Sequence, residues 1–368
     1  MKQNALSVII PIIPNKLDEL RPLLEGYGQD VVGNQELQFG RSPSTHFARF
    51  VILDKPKGVI ARLYFSTCFD GELGNYLTEI CGNLGNGMEK IWSCCEGYPA
   101  NSEKQAPLFE EFINPFSHDS DVFVVAFPGQ SAENIRSNIA LRRKFEDELD
   151  SRPTDASSTS VPDESAVAKI PSSNSKFIEF LVNIVEYIVG IRNGAKPENT
   201  ILSTDSALLD MEDRVVQNQM TIVSEVKKGF FPRWIMRIVL GVIRKSRSGN
   251  SRSLSGLTTI HFARWIVIDG GDNLLFESNF DGSWERYIDD FRDNAVHGLN
   301  TIWGGCVGFP KGGCRDIEAF KQIIRTQQVH AQYFYSAYPD ATTDNIRANM
   351  ALEQEPTGPS SQIAGVYV

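Results

Sequence analysis

One stretch of this chain occurs twice, and nothing else constrains its fold as strongly. HFARF at residues 46–50 returns as HFARW at 261–265, and LYFSTCFDGELGNYL at 63–77 returns as LLFESNFDGSWERYI at 274–288. From Leu63 and Leu274 onward the offset stays at 211 residues. It carries Ile91-Trp92 onto Ile302-Trp303, Cys95 onto Cys306, and AFPGQSAENIRSNIAL (126–141) onto AYPDATTDNIRANMAL (337–352). The HFAR motifs are 215 residues apart, from His46 to His261, so the hairpin of the second copy is four residues shorter. Self-similarity of this kind means one structural unit built twice.

Each copy reads as strand, helix, strand, strand, helix, strand and a closing helix. In the first, LSVIIPI has strand composition, and Lys16 to Gly26 places Leu17, Leu20, Leu23 and Leu24 on one helical face. HFARFVILD and GVIARLYFSTCF form a hairpin around the turn-rich DKPKG. Glu72 to Cys94 is mostly helical with a break at Gly82 to Gly87, DVFVVAF is the fourth strand, and Ser131 caps the closing helix. This order predicts an α+β fold made of tandem ferredoxin-like repeats, each a four-stranded antiparallel sheet with helices on one face. Two such sheets cover each other's bare faces by pairing as a pseudo-dimeric α/β barrel. HFARFVILD fits that arrangement because both of its alternating faces are largely apolar.

The repeats are expected at 1–150 and 217–352. Between them, 151–216 reads as a linker, disordered at 151–173 where Ser, Thr, Pro and Asp dominate, with an additional apolar helix at about 175–192. That helix carries Glu179 and Glu186 in about 17 residues, short of the roughly 20 apolar residues a spanning helix requires. Residues 353–368 read as a disordered tail. The opening residues read as a first strand, not a leader. Six cysteines, no pair in CxxC spacing, indicate free thiols, a reducing cytoplasmic setting and no metal site.

The formal charge is -10, from 36 basic and 46 acidic residues, which argues against a general nucleic-acid binder. The average conceals a contrast. Lys227 to Arg252 holds eight basic residues and no acid, leaving -18 for the remainder. Within it, Lys227, Lys228, Arg233, Trp234, Arg237, Arg244 and Lys245 form a basic amphipathic surface suited to an anionic membrane or a protein partner. The matching segment of the first copy, LDELRPLLEG, is acidic, so the fold itself does not require the positive charge.

Candidate chemistry is sparse. His46 with Arg49, and His261 with Arg264, are three apart on strands, a spacing that sends the side chains to opposite faces. Asp70-Gly71 and Asp281-Gly282 occupy strand-to-helix junctions, where an aspartate accepts hydrogen bonds from free helix amides. Asn134 and Arg136, matched by Asn345 and Arg347, lie in the first turns of the closing helices. Motifs present in both copies read as parts of the fold's construction, whereas His118, His297 and His330 occur once and suit a single site. No P-loop, Rossmann glycine pattern, HExxH or GxSxG element is present.

A duplicated ferredoxin-like unit with an Asp-Gly element after a strand resembles the dimeric α/β-barrel superfamily, including dye-decolourising peroxidases and chlorite dismutases. Those peroxidases carry Gly-x-x-Asp-Gly, an axial histidine and a distal arginine. Asp70-Gly71 and Asp281-Gly282 match its last two positions, with Thr67 and Ser278 where the first glycine stands. The resemblance implies a haem cofactor, Asp70, Asp281, Arg49 and Arg264 as catalytic groups, and His46, His261 or His330 as haem ligands. Two functions are therefore expected alternatives. One is a non-catalytic or weakly catalytic barrel that associates with a membrane or a protein partner through its basic segment and holds an apolar small molecule; the other is a haem-dependent peroxidase-like oxidoreductase.

Overall fold

The computed structural model describes residues 2–54, 60–150, 216–246 and 257–354. The expected linker with its apolar helix at 175–192, and the tail from 355, lie outside the described residues. The fold is mixed α+β with two four-stranded antiparallel sheets. Strands β1 (Gln3–Pro11), β2 (Thr45–Leu53) and β3 (Arg62–Asp70) belong to the first, and β5 (Gln217–Glu225), β6 (Ile260–Ile268) and β7 (Asn273–Asp281) to the second.

The fourth strands correct the expectation that each copy supplies its own sheet. The orders are β1-β3-β2-β8 and β4-β6-β7-β5, so β4 (Val122–Val125) lies in the second sheet and β8 (Ala331–Ser336) in the first. Each incoming segment touches its own copy before crossing. Ser117 bridges Val8 and the His118 amide donates to the Ser7 carbonyl, after which β4 pairs with β6. Gln328 bridges Ile222 and the Val329 amide donates to the Thr221 carbonyl, after which β8 pairs with β2. The exchange covers the edges that β2 and β6 would otherwise present with unpaired backbone groups.

Alternation along β2 sorts its side chains. Ala48, Phe50 and Ile52 pack outward with α1 (Leu17–Gln29), α2 (Leu73–Asn83), α3 (Gly87–Trp92) and α4 (Ala106–Ile113). Val51 and Leu53 point the other way and pack with Ile266, Ile268 and Leu275 of the second sheet. The second sheet is backed by α6 (Phe230–Ser246), α7 (Trp284–Trp303, which includes His297) and α8 (Ile317–Gln327). The closing helices α5 (Ala132–Asp150) and α9 (Thr343–Gln354) contact each other over a mixed cluster that includes Phe47, Phe127, Phe262 and Tyr338.

Candidate functional site

The two arginines of the HFAR motifs cross between the sheets reciprocally. Arg49, from β2, donates through Nη1 to Gln219 Oε1, the Met220 carbonyl and Thr221 Oγ1, each at 3.1 Å, and through Nη2 to Asn279 Oδ1 at 2.8 Å. Arg264, from β6, donates to the Leu6 carbonyl at 2.9 Å, Ser7 Oγ at 2.8 Å, the Thr67 carbonyl at 2.9 Å and Cys68 Sγ at 2.9 Å. Each motif thus fastens its own sheet to the other.

Between the guanidinium groups stands one carboxylate that has no counterpart in the first copy. Glu277 occupies the position matched by Ser66. Its Oε1 is 2.6 Å from Arg264 Nε, its Oε2 is 3.7 Å from Arg49 Nε, and it accepts from Tyr64 at 2.8 Å and Ser66 at 2.7 Å. Arg49, Arg264 and Glu277 are each no more than 2% exposed. Burial on its own would raise the Glu277 carboxyl, but the charges of Arg264 and Arg49 with the two hydroxyls hold it below the usual carboxylate value. Burial pushes the Cys68 thiol up to about 11, even with the Arg264 charge beside it. These polar groups lie between the sheets, beside the apolar cluster of Val51, Leu53, Ile266, Ile268 and Leu275, where an apolar ligand is expected.

The histidines of the same motifs stand at β-bulges. Thr45 pairs with Phe69 and Phe47 with Cys68, leaving His46 as the extra residue, and His261 is the extra residue between Ile260 and Phe262. A bulge displaces a side chain from strict alternation, so spacing alone does not place these two rings. Both are fully buried. His46 Nε2 meets Asp70 Oδ1 at 3.1 Å, and His261 Nε2 meets Asp281 Oδ1 at 2.7 Å. His46 and Arg49 share no hydrogen-bond partner.

The aspartates do cap helices, but not those that follow them in sequence. Asp70 Oδ2 accepts from the Ala132 amide at 2.7 Å, at the head of α5. Asp281 Oδ2 accepts from the Thr343 amide at 2.7 Å and from Thr343 Oγ1 at 2.8 Å, at the head of α9. Helix α2, directly after Asp70, has no side-chain cap. Thr67 and Ser278, at the first position of the peroxidase motif, bind the hydroxyls of Tyr76 and Tyr287 at 2.7 and 2.6 Å. Those tyrosine rings stack on Phe69 and Phe280, with centroids 4.1 and 3.8 Å apart.

The copies differ at one polar position in this cluster. Tyr338 OH is 2.9 Å from His46 Nδ1, whereas its counterpart beside His261 is Phe127, whose ring centroid lies 5.7 Å from the imidazole. His261 Nδ1 is buried without a hydrogen-bond partner. The corresponding ring separation for Tyr338 and His46 is 5.9 Å, so a tyrosine at 127 would bring a hydroxyl to the orphaned nitrogen. Phe127→Tyr is expected to stabilise the protein by about 1 kcal/mol, read as a higher urea midpoint. A lower midpoint would show that the ring has no room for the hydroxyl.

Among the described residues, the histidines that the resemblance names do not fit a haem group. His46 uses both ring nitrogens, and the remaining nitrogen of His261 is closed in by Phe47, Phe127 and Tyr338. His330, half-buried just before β8, lies 3.4 Å through Nδ1 from the Gln332 amide. A pocket of about 170 Å³ lies between α5 and the turn after β8, lined by Arg136, Arg143, Tyr338 and Asp340 among others. It contains no histidine and is smaller than the roughly 300 Å³ at which ligand clefts begin. Among the described residues no group of three or more His, Cys, Asp or Glu could hold a metal.

The basic segment forms α6 and the approach to it. Its inner face, Ile235, Met236, Val239 and Leu240, packs on the second sheet. Its outer face exposes Phe230 (74%), Phe231 (67%), Trp234 (51%), Ile238 (43%) and Val242 (39%). Lys228, Arg237, Arg244 and Lys245 are exposed, while Lys227 donates to the Gly304 carbonyl at 2.7 Å and Arg233 pairs with Asp272. Trp234 lies on this outer face, and which other apolar residues share it was not legible because apolar residues occupy most of the helix circumference.

No family model matches the chain, and no curated protein matches it. Among solved structures, a Lactobacillus acidophilus protein described as a "putative monooxygenase" aligns over 92% of this chain and 97% of its own, at 7% identity and a TM-score of 0.27.

Proposed function

We propose that the chain is a pair of tandem ferredoxin-like repeats closed into one pseudo-dimeric α/β barrel, and that it works as a non-catalytic docking module. Closure is supported by the exchanged strands β4 and β8, each paired in one sheet and entered from a segment that bridges the other. A non-catalytic role follows from an interior occupied by interlocked side chains. The working surface is the outer face of α6.

One observation carries this reading. The equivalent helix of the first copy, α1, exposes none of its leucines or its tyrosine, whereas α6 exposes five large apolar side chains. A contiguous apolar patch on a folded surface marks a site of association. No helix among the described residues is long and apolar enough to cross a membrane.

Fractionation of cells on a density gradient tests it. The native protein is expected to travel with membranes or with an assembly larger than itself. Phe231→Ser/Trp234→Ser/Ile238→Ser is expected to move to the monomer fraction with its melting temperature unchanged, since these side chains are exposed. Identical distributions would remove the reading.

A further inference from the structure

Resting on that docking surface, we infer that its occupant is the interface of an anionic lipid bilayer, with α6 lying parallel to the membrane plane. Phe230, Trp234, Ile238 and Val242 are four residues apart, so each is rotated only about 40° from the last and they form one stripe about 18 Å long. Phe231 widens it at the first turn. Arg237 and Arg244 lie along one flank of that stripe, and Lys245 falls within it at the last turn. Long basic side chains in these positions lay their stems along apolar surface and lift their charges to the level of lipid phosphates.

The charge count sharpens the assignment. Lys227 donates to the Gly304 carbonyl and Arg233 pairs with Asp272; Lys228, Arg237, Arg244 and Lys245 all lie on the exposed surface. Helix α6 contains no acid. Nearby Asp269 is paired with Arg62, and Arg237 also donates to the Gly270 carbonyl at 3.1 Å. Four outward cations spread over a convex aromatic stripe complement a planar anionic surface. A protein partner would need a groove lined with acid on one side.

The protein contains its own probe. Of its five tryptophans, Trp92, Trp265, Trp284 and Trp303 are buried and Trp234 is exposed. The full chain is mixed with phosphatidylcholine vesicles, with or without phosphatidylserine, in low salt. Only the phosphatidylserine vesicles are expected to blue-shift the emission, and brominated lipid is expected to quench it. By flotation, Arg237→Gln/Arg244→Gln/Lys245→Gln is expected to lose about a hundredfold in partitioning, because each surface cation contributes a factor of about five. Phe231→Ser/Trp234→Ser is expected to stay unbound.

Native protein that neither floats nor is quenched, or a triple glutamine variant that floats undiminished, would overturn the bilayer assignment. If vesicles fail while the serine variants still redistribute in cells, the docking surface stands and its partner is a protein. If neither experiment responds, both readings fall.

Discussion

Glu277→Gln is expected to destabilise the protein by about 3–5 kcal/mol, enough to remove much of the stability of an ordinary domain. The amide keeps the shape of the side chain but removes the one formal negative charge among the described groups that contact Arg49 and Arg264 between the sheets. Two buried guanidinium groups then repel each other across the sheet interface, with no solvent to screen them. Replacing all three with apolar residues, as Arg49→Met/Glu277→Leu/Arg264→Met, is expected to recover much of the loss, because the desolvation cost disappears along with the attraction. Urea unfolding of both variants measures this. Equal midpoints for native protein and Glu277→Gln would show that the carboxylate does not hold the sheets together.

The same carboxylate gives stability a pH dependence with a defined sign. Its folded-state pKa lies below the ordinary value of 4.5, so the stabilisation is complete above 4.5 and is lost as pH falls through the folded value. Native protein is expected to show an acid-unfolding limb in that window. In Glu277→Gln this contribution is absent and the limb flattens. Arg264 is held charged by Glu277 despite its burial, so it contributes no titration there.

The repeated motifs showed which residues build the fold, and what they build explains why parts of it could not be read. HFAR recurs because each arginine crosses to the opposite sheet, whereas alternation along the strand left open whether His46 or Arg49 faces inward. The bulges at His46 and His261 were illegible, since an extra residue leaves no mark in a hydrophobic pattern. Asp70 and Asp281 could be recognised as helix caps, but the helices they cap begin 62 residues further on, at Ala132 and Thr343. Exchange of β4 and β8 was invisible for a related reason. A short apolar strand has the same composition whichever sheet receives it. Two differences between the copies, Ser66 against Glu277 and Phe127 against Tyr338, were readable by alignment. Among the described residues, they mark the carboxylate of the arginine network and a buried imidazole nitrogen left without a partner.

Asp70→Ala and Asp281→Ala are each expected to cost about 2–4 kcal/mol, combining a buried bond to a charged group with a lost helix cap. In the first copy the loss strands His46 Nε2 and the Ala132 amide together. In the second it strands His261, whose other nitrogen already lacks a partner, so His261 would be left with none. Asp70→Asn is expected to be milder, since its carbonyl oxygen can still accept from Ala132 while its amide faces the imidazole. Thermal and urea unfolding of the three variants test the assignment directly. A peroxide-cleaving aspartate makes the opposite prediction, in which Asp70→Ala keeps its midpoint and loses only turnover. The structural role also predicts that the two alanine variants behave alike, because each aspartate ties its own bulge to its own closing helix. A large effect in one copy and none in the other would point to a site rather than to construction.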